Sequence, residues 1–449
     1  MKICIIGAGP SGLSAVKAFT DLKDPTIQVI CYEKQSKIGG LWNVSWQKGV
    51  DNQGEIVHSA QYQNLYSNAA AEVHEYPDYS YEKHFGQKIS SYPPGFAIRD
   101  YIAGRFDSHY IKTCIKFNHT VKWVEEKTEK FTVTVYDTVN SKTFTEEFDY
   151  CIVASGRFTY PFHAEYNGIE NFKGEIIHSK DFKTGSAYEN KTILVTGSSY
   201  SAEDVAIQCV KYGAKHCFLG YREKHEKHPW NAVKFPAEFF TRKSDVEKIT
   251  ESGVIFKDKS EKCIDAIIIC TGYQCTYPFM AENLRLETRN RWNVENLYEN
   301  TVFIDNPRLF YMGMMNQALS VIMFDVQAAF IRTVLLDDIL PSKTEMQEKS
   351  KSAQNFEESL PDYELMTMVE NQFDYIKRWA RISKYPYEIN FDIIMQNFME
   401  WGTNKAENVL TFRDKAHCSI YTGQRSRLLK TPYMNLQLNS INEYLSELI

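Results

Sequence analysis

Two stretches of this chain carry glycines and small residues spaced to hold a nucleotide. In "KICIIGAGPSGLSAVKAF", Gly7, Gly9 and Gly12 form G-x-G-x-x-G between an apolar run and a helical apolar pattern. The first glycine permits a tight turn, and the second lets backbone approach a pyrophosphate. The third lets helix and strand pack closely. The helix N-terminus then offers its free N–H groups to phosphate oxygens. The next apolar run, "IQVICYE", ends in Glu33. A carboxylate about 20 residues beyond such a turn accepts hydrogen bonds from an unphosphorylated ribose, which favours FAD or NAD over NADP.

"KTILVTGSSYSAEDVAIQCVKYG" repeats that grammar with different letters. Gly197 keeps the tight turn, Ser199 is small and can donate to phosphate, and Ala202 still permits close packing. The run that follows, "HCFLGYR", ends in Arg222, where Glu33 stands in the first unit. A guanidinium at that register clasps a 2′-phosphate that a carboxylate would repel, with Lys224 to assist. This turn is predicted to take NADPH. Tyr200 projects out of it toward the cleft.

The elements that position these turns belong to a chain of 449 residues, which sets a prior of two or three domains. It is 43% hydrophobic and 24% charged, as a globular protein should be. A net charge of -6 gives no electrostatic case for nucleic acid. The ten cysteines are scattered without a CxxC, which argues against a zinc ribbon or a dithiol reductase and fits a reducing cytosol. The first residues enter an apolar strand at once, leaving no room for a targeting region, so a cytoplasmic protein is expected. No apolar run of about 18 residues exists, so no membrane is expected. His225 and His228 read as a solvated loop, and no metal is predicted. Beyond residue 340 the pattern is charged and helical in period, a solvated extension ending in the short amphipathic "NSINEYLSELI".

Between the two units, "FKGEIIHSKDF" places Phe172, Gly174, His178 and Phe182 in the pattern F-x-G-x-x-x-H-x-x-x-(Y/F). That pattern resembles the identifying motif of class B flavin-dependent monooxygenases, the flavin-containing monooxygenase family. "GGLW" is similar to the family's GGxW stretch around the flavin, and "CIVASGRFTYP" and "ICTGY" resemble its two interdomain crossings. "SSYSAED", "SYPP", "MFDVQA" and "TFRD" look most like the bacterial trimethylamine monooxygenase branch.

The resemblance implies an α/β fold of two doubly wound Rossmann-like domains, with an NADPH domain (163–274) inserted in an FAD domain (1–162 and 275–449). It implies that Ser11, Glu33, Gln35, Leu41, Trp42, His58 and Val121 contact FAD, and that Gln317 and Ser320 reach its ring. Ser198, Ser199, Ser201 and Arg222 hold NADP. The branch's "YLWSN" stands here as "NLYSN", so Tyr66 replaces a Trp at the cofactors. Asn68 takes the part of the amide that holds the flavin peroxide and the nicotinamide, and Tyr200 joins it as a catalytic residue. The implied reaction uses FAD, NADPH and O2 to oxygenate an amine nitrogen or a sulfur through a C4a-hydroperoxyflavin. A ketone-oxidising Baeyer–Villiger enzyme and a non-oxygenating NADPH oxidase or flavin redox protein stand as alternatives. A homodimer is the default assembly. One departure is specific: the branch has two aromatics after the Gln of "QWY(S/T)", and this chain reads "QALS". Ala318 and Leu319 are therefore expected to open the pocket toward bulkier substrates.

Overall fold

The computed structural model describes residues 1–221, 233–289, 293–315, 318–360 and 365–449. Among them, two parallel sheets organise the chain. In the larger, Lys2–Ile6 lies between Tyr150–Val153 and Gln28–Glu33, and Ile115–Phe117 closes one edge. The other edge runs through Leu309–Tyr311, Val302–Phe303 and Leu297–Tyr298, and turns antiparallel at its last two pairings. Ile3, Cys4, Ile5, Cys151 and Ile152 are fully covered, as expected of parallel strands with both faces roofed. Helix Pro10–Thr20 roofs one face and packs on helix Ser320–Asp337.

The smaller sheet is parallel throughout, in the order Phe240–Lys243, His216–Gly220, Thr192–Thr196, Ala266–Ile269, Glu175–His178. Helix Tyr200–Lys211 covers it with Val205, Ala206, Cys209 and Val210. The chain leaves the first sheet after Val153 and rejoins it from Leu297 onward, so one doubly wound unit is inserted in the other. A separate antiparallel sheet, His119–Lys127, Lys130–Asp137 and Lys142–Phe148, packs beside the first.

The two crossings meet. Tyr160–Pro161 on the outward path pairs antiparallel with Tyr273–Thr276 on the return, Tyr273 opposite Pro161. The family-type motif sits at this junction. His178 ends the edge strand, donates from Nε2 to the Gly272 carbonyl at 3.1 Å and accepts the Lys180 N–H at Nδ1. Burial pushes its pKa down to about 4, so it stays neutral and keeps that tautomer. Phe182 packs edge-on to Tyr62, and a Cβ at Gly174 would meet the Asp265 carbonyl at 2.4 Å. The motif thus braces the crossing.

The charged segment beyond residue 340 is helical, as its period predicts. Lys343–Ser359 starts with a Ser342/Glu345 capping box. Leu365–Ile382 lays Val369, Phe373, Ile376 and Trp379 into the core against Ser320–Asp337. Phe391–Glu407 follows, and Ile441–Ser446 closes the chain. Among the described residues, no helix is long and apolar enough to cross a membrane.

Candidate active site

The first glycine turn is built by close approach. A Cβ on Gly12 would stand 1.9 Å from the Gly7 carbonyl oxygen, so only glycine lets helix Pro10–Thr20 start there. Gly9 differs: an added Cβ would meet nothing nearer than the Gly40 Cα at 3.6 Å. Its outer side is open, as a pyrophosphate site needs. Gly9 is also the N-cap and supplies no side-chain acceptor. Helices starting at Tyr81, His109, Lys343, Phe391 and Ile441 are instead capped by their own Ser or Asn.

The buried Glu33 carboxylate accepts the Ala8 N–H at 2.6 Å and the Gln35 N–H at 2.8 Å. Burial raises its pKa, and the two N–H donors work against that shift. The two bonds fix its direction at the ribose end of the turn. Gln35 takes the Asn43 amide at 2.9 Å, and Leu41 and Trp42 form the short helical turn Gly40–Trp42 beside it. Val121 sits on its strand where the register shifts. Ser11 is buried in the first helical turn. His58 shares a hydrogen bond with Thr159 at 2.9 Å, and burial lowers its pKa to about 4. Ser320 opens its helix with its hydroxyl 3.3 Å from His74 Nδ1. These residues suit FAD.

The second turn repeats the geometry. Gly197 has φ +117°, and a Cβ there would strike the Cys270 carbonyl at 2.4 Å. Ser199 is the N-cap of Tyr200–Lys211 without a side-chain cap bond, and Ala202 is buried against the sheet. Ser199 and Ser201 are exposed and Ser198 half-buried. The Gly197 N–H donates to the Gly220 carbonyl at 2.9 Å, and the Ser199 hydroxyl does not cap the helix, so the start of this helix suits a nucleotide phosphate. Arg222, Lys224, His225, His228 and Gln317 lie outside the described residues.

Both sites converge where helix Tyr200–Lys211 docks on the larger unit. Asp204 pairs with Arg413 at 2.5 Å and accepts the Tyr62 hydroxyl at 3.2 Å. Glu203 pairs with Lys405 at 2.8 Å, and Lys211 donates to the Tyr433 and Leu436 carbonyls. Burial works against the Arg413 charge, but Asp204 beside it holds its pKa above the usual arginine range. Arg413 also donates from Nε to the Ser67 carbonyl at 3.0 Å, and its buried Nη1 has no hydrogen-bond partner among the described residues. The Trp401 indole donates to the Asn68 carbonyl at 2.9 Å and lies 6.1 Å from the Tyr200 ring.

The carbonyls of Ser67 and Asn68 are thus held by Arg413 and Trp401 in turn, and the Asn68 side-chain amide makes no hydrogen bond to the described residues. Tyr200 and Asn68, far apart in sequence, share Trp401 as a neighbour. Tyr66, two residues before Asn68, is 2% exposed and lies edge-on to Tyr433. Trp401 and Arg413 escaped the sequence reading. Arg413 lies in "TFRD", a stretch noted only as a likeness, and nothing local marks Trp401.

The expected widening at 318–319 is not met. Leu319 is fully covered and Ala318 is 7% exposed, and both N–H groups are held by the Gln372 side-chain oxygen Oε1 at 2.7–2.9 Å. Both side chains pack in the core rather than facing open volume.

The profile of the flavin-binding monooxygenase-like family matches residues 1–226 and 234–395. The trimethylamine monooxygenase of Pelagibacter sp. (strain HTCC7211) is 39% identical, covering 99% of each chain. The crystal structure of Tmm from that strain superposes with a TM-score of 0.93 at 40% identity, covering 99% of this chain and 100% of the other. The S-allyl-L-cysteine S-oxygenase of Allium sativum has a TM-score of 0.80 at 26% identity, covering 92% and 95%. Two glycine turns facing one braced junction, and likeness over nearly the full length, make this chain a member of the flavin-binding monooxygenase-like family, whose enzymes use FAD and NADPH.

Proposed function

We propose that the protein N-oxygenates tertiary amines, with FAD at the first glycine turn and NADPH at the second. Residues 1–162 and 275–449 are taken as the FAD-binding part and 163–274 as the NADPH-binding part. When bound, NADPH supplies a hydride and FAD supplies oxygen activation. The chain's residues bind, orient and exclude water. The open side of Gly9 receives the pyrophosphate and Glu33 the ribose hydroxyls. Ser11, Gln35, Leu41, Trp42, His58, Val121 and Ser320 complete the FAD contacts. Ser198, Ser199 and Ser201 take the NADP phosphates.

Asn68 is the amide that orients nicotinamide and oxygen, and Tyr200 with Trp401 narrows the approach so that water stays out. An amine lone pair is itself the nucleophile, so no acid–base dyad is required. The supporting observation is the Asn68 amide, which makes no hydrogen bond among the described residues while Trp401 holds its carbonyl and Arg413 holds the preceding Ser67 carbonyl. Likeness to a trimethylamine monooxygenase over the full length supports amines, trimethylamine or a bulkier one. Likeness to an S-oxygenase keeps thioethers as a second reading.

The test is a panel of trimethylamine, bulkier tertiary amines, thioethers and a cyclic ketone, with NADPH consumption and product mass followed together. One N-oxide per NADPH is expected. Hydrogen peroxide released at the same rate with and without amine, or an ester from the ketone, overturns the reading.

A further inference from the structure

The sequence assigns the preference for NADPH to Arg222 and Lys224, which lie outside the described residues. A different cation borders the same site. Arg242 lies on the edge strand Phe240–Lys243, which runs parallel to His216–Gly220 with Arg242 opposite Leu219. Together with Ser198, Ser199, Leu219, Tyr221 and Phe235 it lines a recess at the second glycine turn. In a doubly wound unit, the adenosine ribose of a bound dinucleotide sits beyond the C-terminal end of the second strand. The recess occupies that place.

The guanidinium is held before any nucleotide arrives. Its Nη2 donates to the Val233 carbonyl at 2.7 Å, and its Cζ lies 5.0 Å from the centre of the Phe235 ring. Burial lowers its pKa, and the nearby Tyr221 and Glu203 act against that, but an arginine keeps its charge in proteins. Glu203, the acidic residue on the recess wall, is engaged by Lys405 at 2.8 Å, which offsets its repulsion of a phosphate. Lys243 next door is committed elsewhere, to Asp258 at 2.9 Å and Ser260 at 2.8 Å. Of these two neighbouring cations, only Arg242 borders the recess.

We propose that Arg242 is a specificity-determining residue for the coenzyme, a pre-positioned cation that binds the 2′-phosphate of the adenosine ribose. The proposal rests on the reading of the second turn as an NADP site. A planar guanidinium fixed on an aromatic ring presents its fork to phosphate with little ordering cost.

The experiment is isothermal titration of the FAD-loaded full chain with NADP⁺, NAD⁺ and adenosine 2′,5′-bisphosphate. Arg242→Ala is expected to weaken NADP⁺ and the bisphosphate at least about tenfold, the loss of one charge-assisted contact. NAD⁺ affinity should change by less than about twofold, and Arg242→Lys should restore part of the loss as a point charge. Should Arg242→Ala fail to fold, Arg242→Gln keeps a donor without the charge and carries the same comparison. Equal weakening of NADP⁺ and NAD⁺, or none, overturns the proposal while leaving the NADP site standing. No binding of NADP⁺ by the unmodified protein overturns the NADP site and the proposal with it.

Discussion

The indole N–H of Trp401 donates to the carbonyl oxygen of Asn68 at 2.9 Å, across a sequence separation of 333 residues. The bond ties a late helix to the loop that carries the Asn68 amide. Asn68→Ala should keep its FAD and its reduction by NADPH, yet lose oxygenated product and release hydrogen peroxide instead. Trp401→Phe keeps a ring beside Tyr200 but removes the donor. It should cost about 1 kcal/mol of stability and lower the ratio of N-oxide to NADPH consumed without abolishing it. Product and peroxide measured against NADPH consumption check both. Full coupling in Asn68→Ala would remove that residue from the reaction.

Arg413 and Asp204 form a buried pair between the two units, with side chains 1% and 12% exposed. Deleting one partner leaves the other charge desolvated, which typically costs about 3–5 kcal/mol. Arg413→Ala should therefore be strongly destabilised in urea unfolding. Arg413→Ala combined with Asp204→Asn should recover part of that loss, because the stranded carboxylate is gone. A double variant no more stable than the single one would show that the ion pair is not the cause.

Two glycines of the first turn should fail in different ways. Gly12→Ala places a methyl 1.9 Å from the Gly7 carbonyl oxygen, so helix and strand must separate and the fold itself should weaken. Gly9→Ala meets only Gly40, at 3.6 Å, and should fold normally while losing FAD to the methyl group in the pyrophosphate's place. Flavin absorbance per protein and the melting temperature of the flavin-free chain separate the two cases.

His417 is fully buried, shares a hydrogen bond with Tyr92 at 2.9 Å, and has the Glu400 carboxylate 3.6 Å away. Burial dominates and lowers its pKa to about 4, although Glu400 favours the charged form. Above pH 6.5 the ring is neutral in both folded and unfolded chain. Between 6.5 and about 4 only the unfolded chain takes up the proton, so stability falls as pH falls. The slope from this residue is at most about 1.4 kcal/mol per pH unit. Glu72 and Glu75 are raised by burial to about 7, so the folded chain holds their protons longer and they act in the opposite direction. His417→Gln should show a shallower loss of stability across that window than the unmodified chain in denaturant titrations at several pH values.

Local pattern alone determined the parts whose physics is local. A glycine turn between a strand and a helix, an acid closing the next strand, and a second such unit are written in consecutive residues. Each needs only backbone sterics and the helix N-terminus to work. The observed Glu33 and Gly197 geometries follow from that, as do the helices beyond residue 340 from their period. Contacts over long separations were decided by the tertiary structure. Trp401 reaches Asn68, and Arg413 reaches both Ser67 and Asp204 of helix Tyr200–Lys211, only through the packing of the late segments. Arg242 borders the second turn through strand pairing alone. At Ala318 and Leu319 the residue types suggested space, but packing closed it, with Gln372 of a distant helix holding their N–H groups. Side-chain volume is visible in a sequence, whereas which neighbours fill the volume left over is a property of the packed interior.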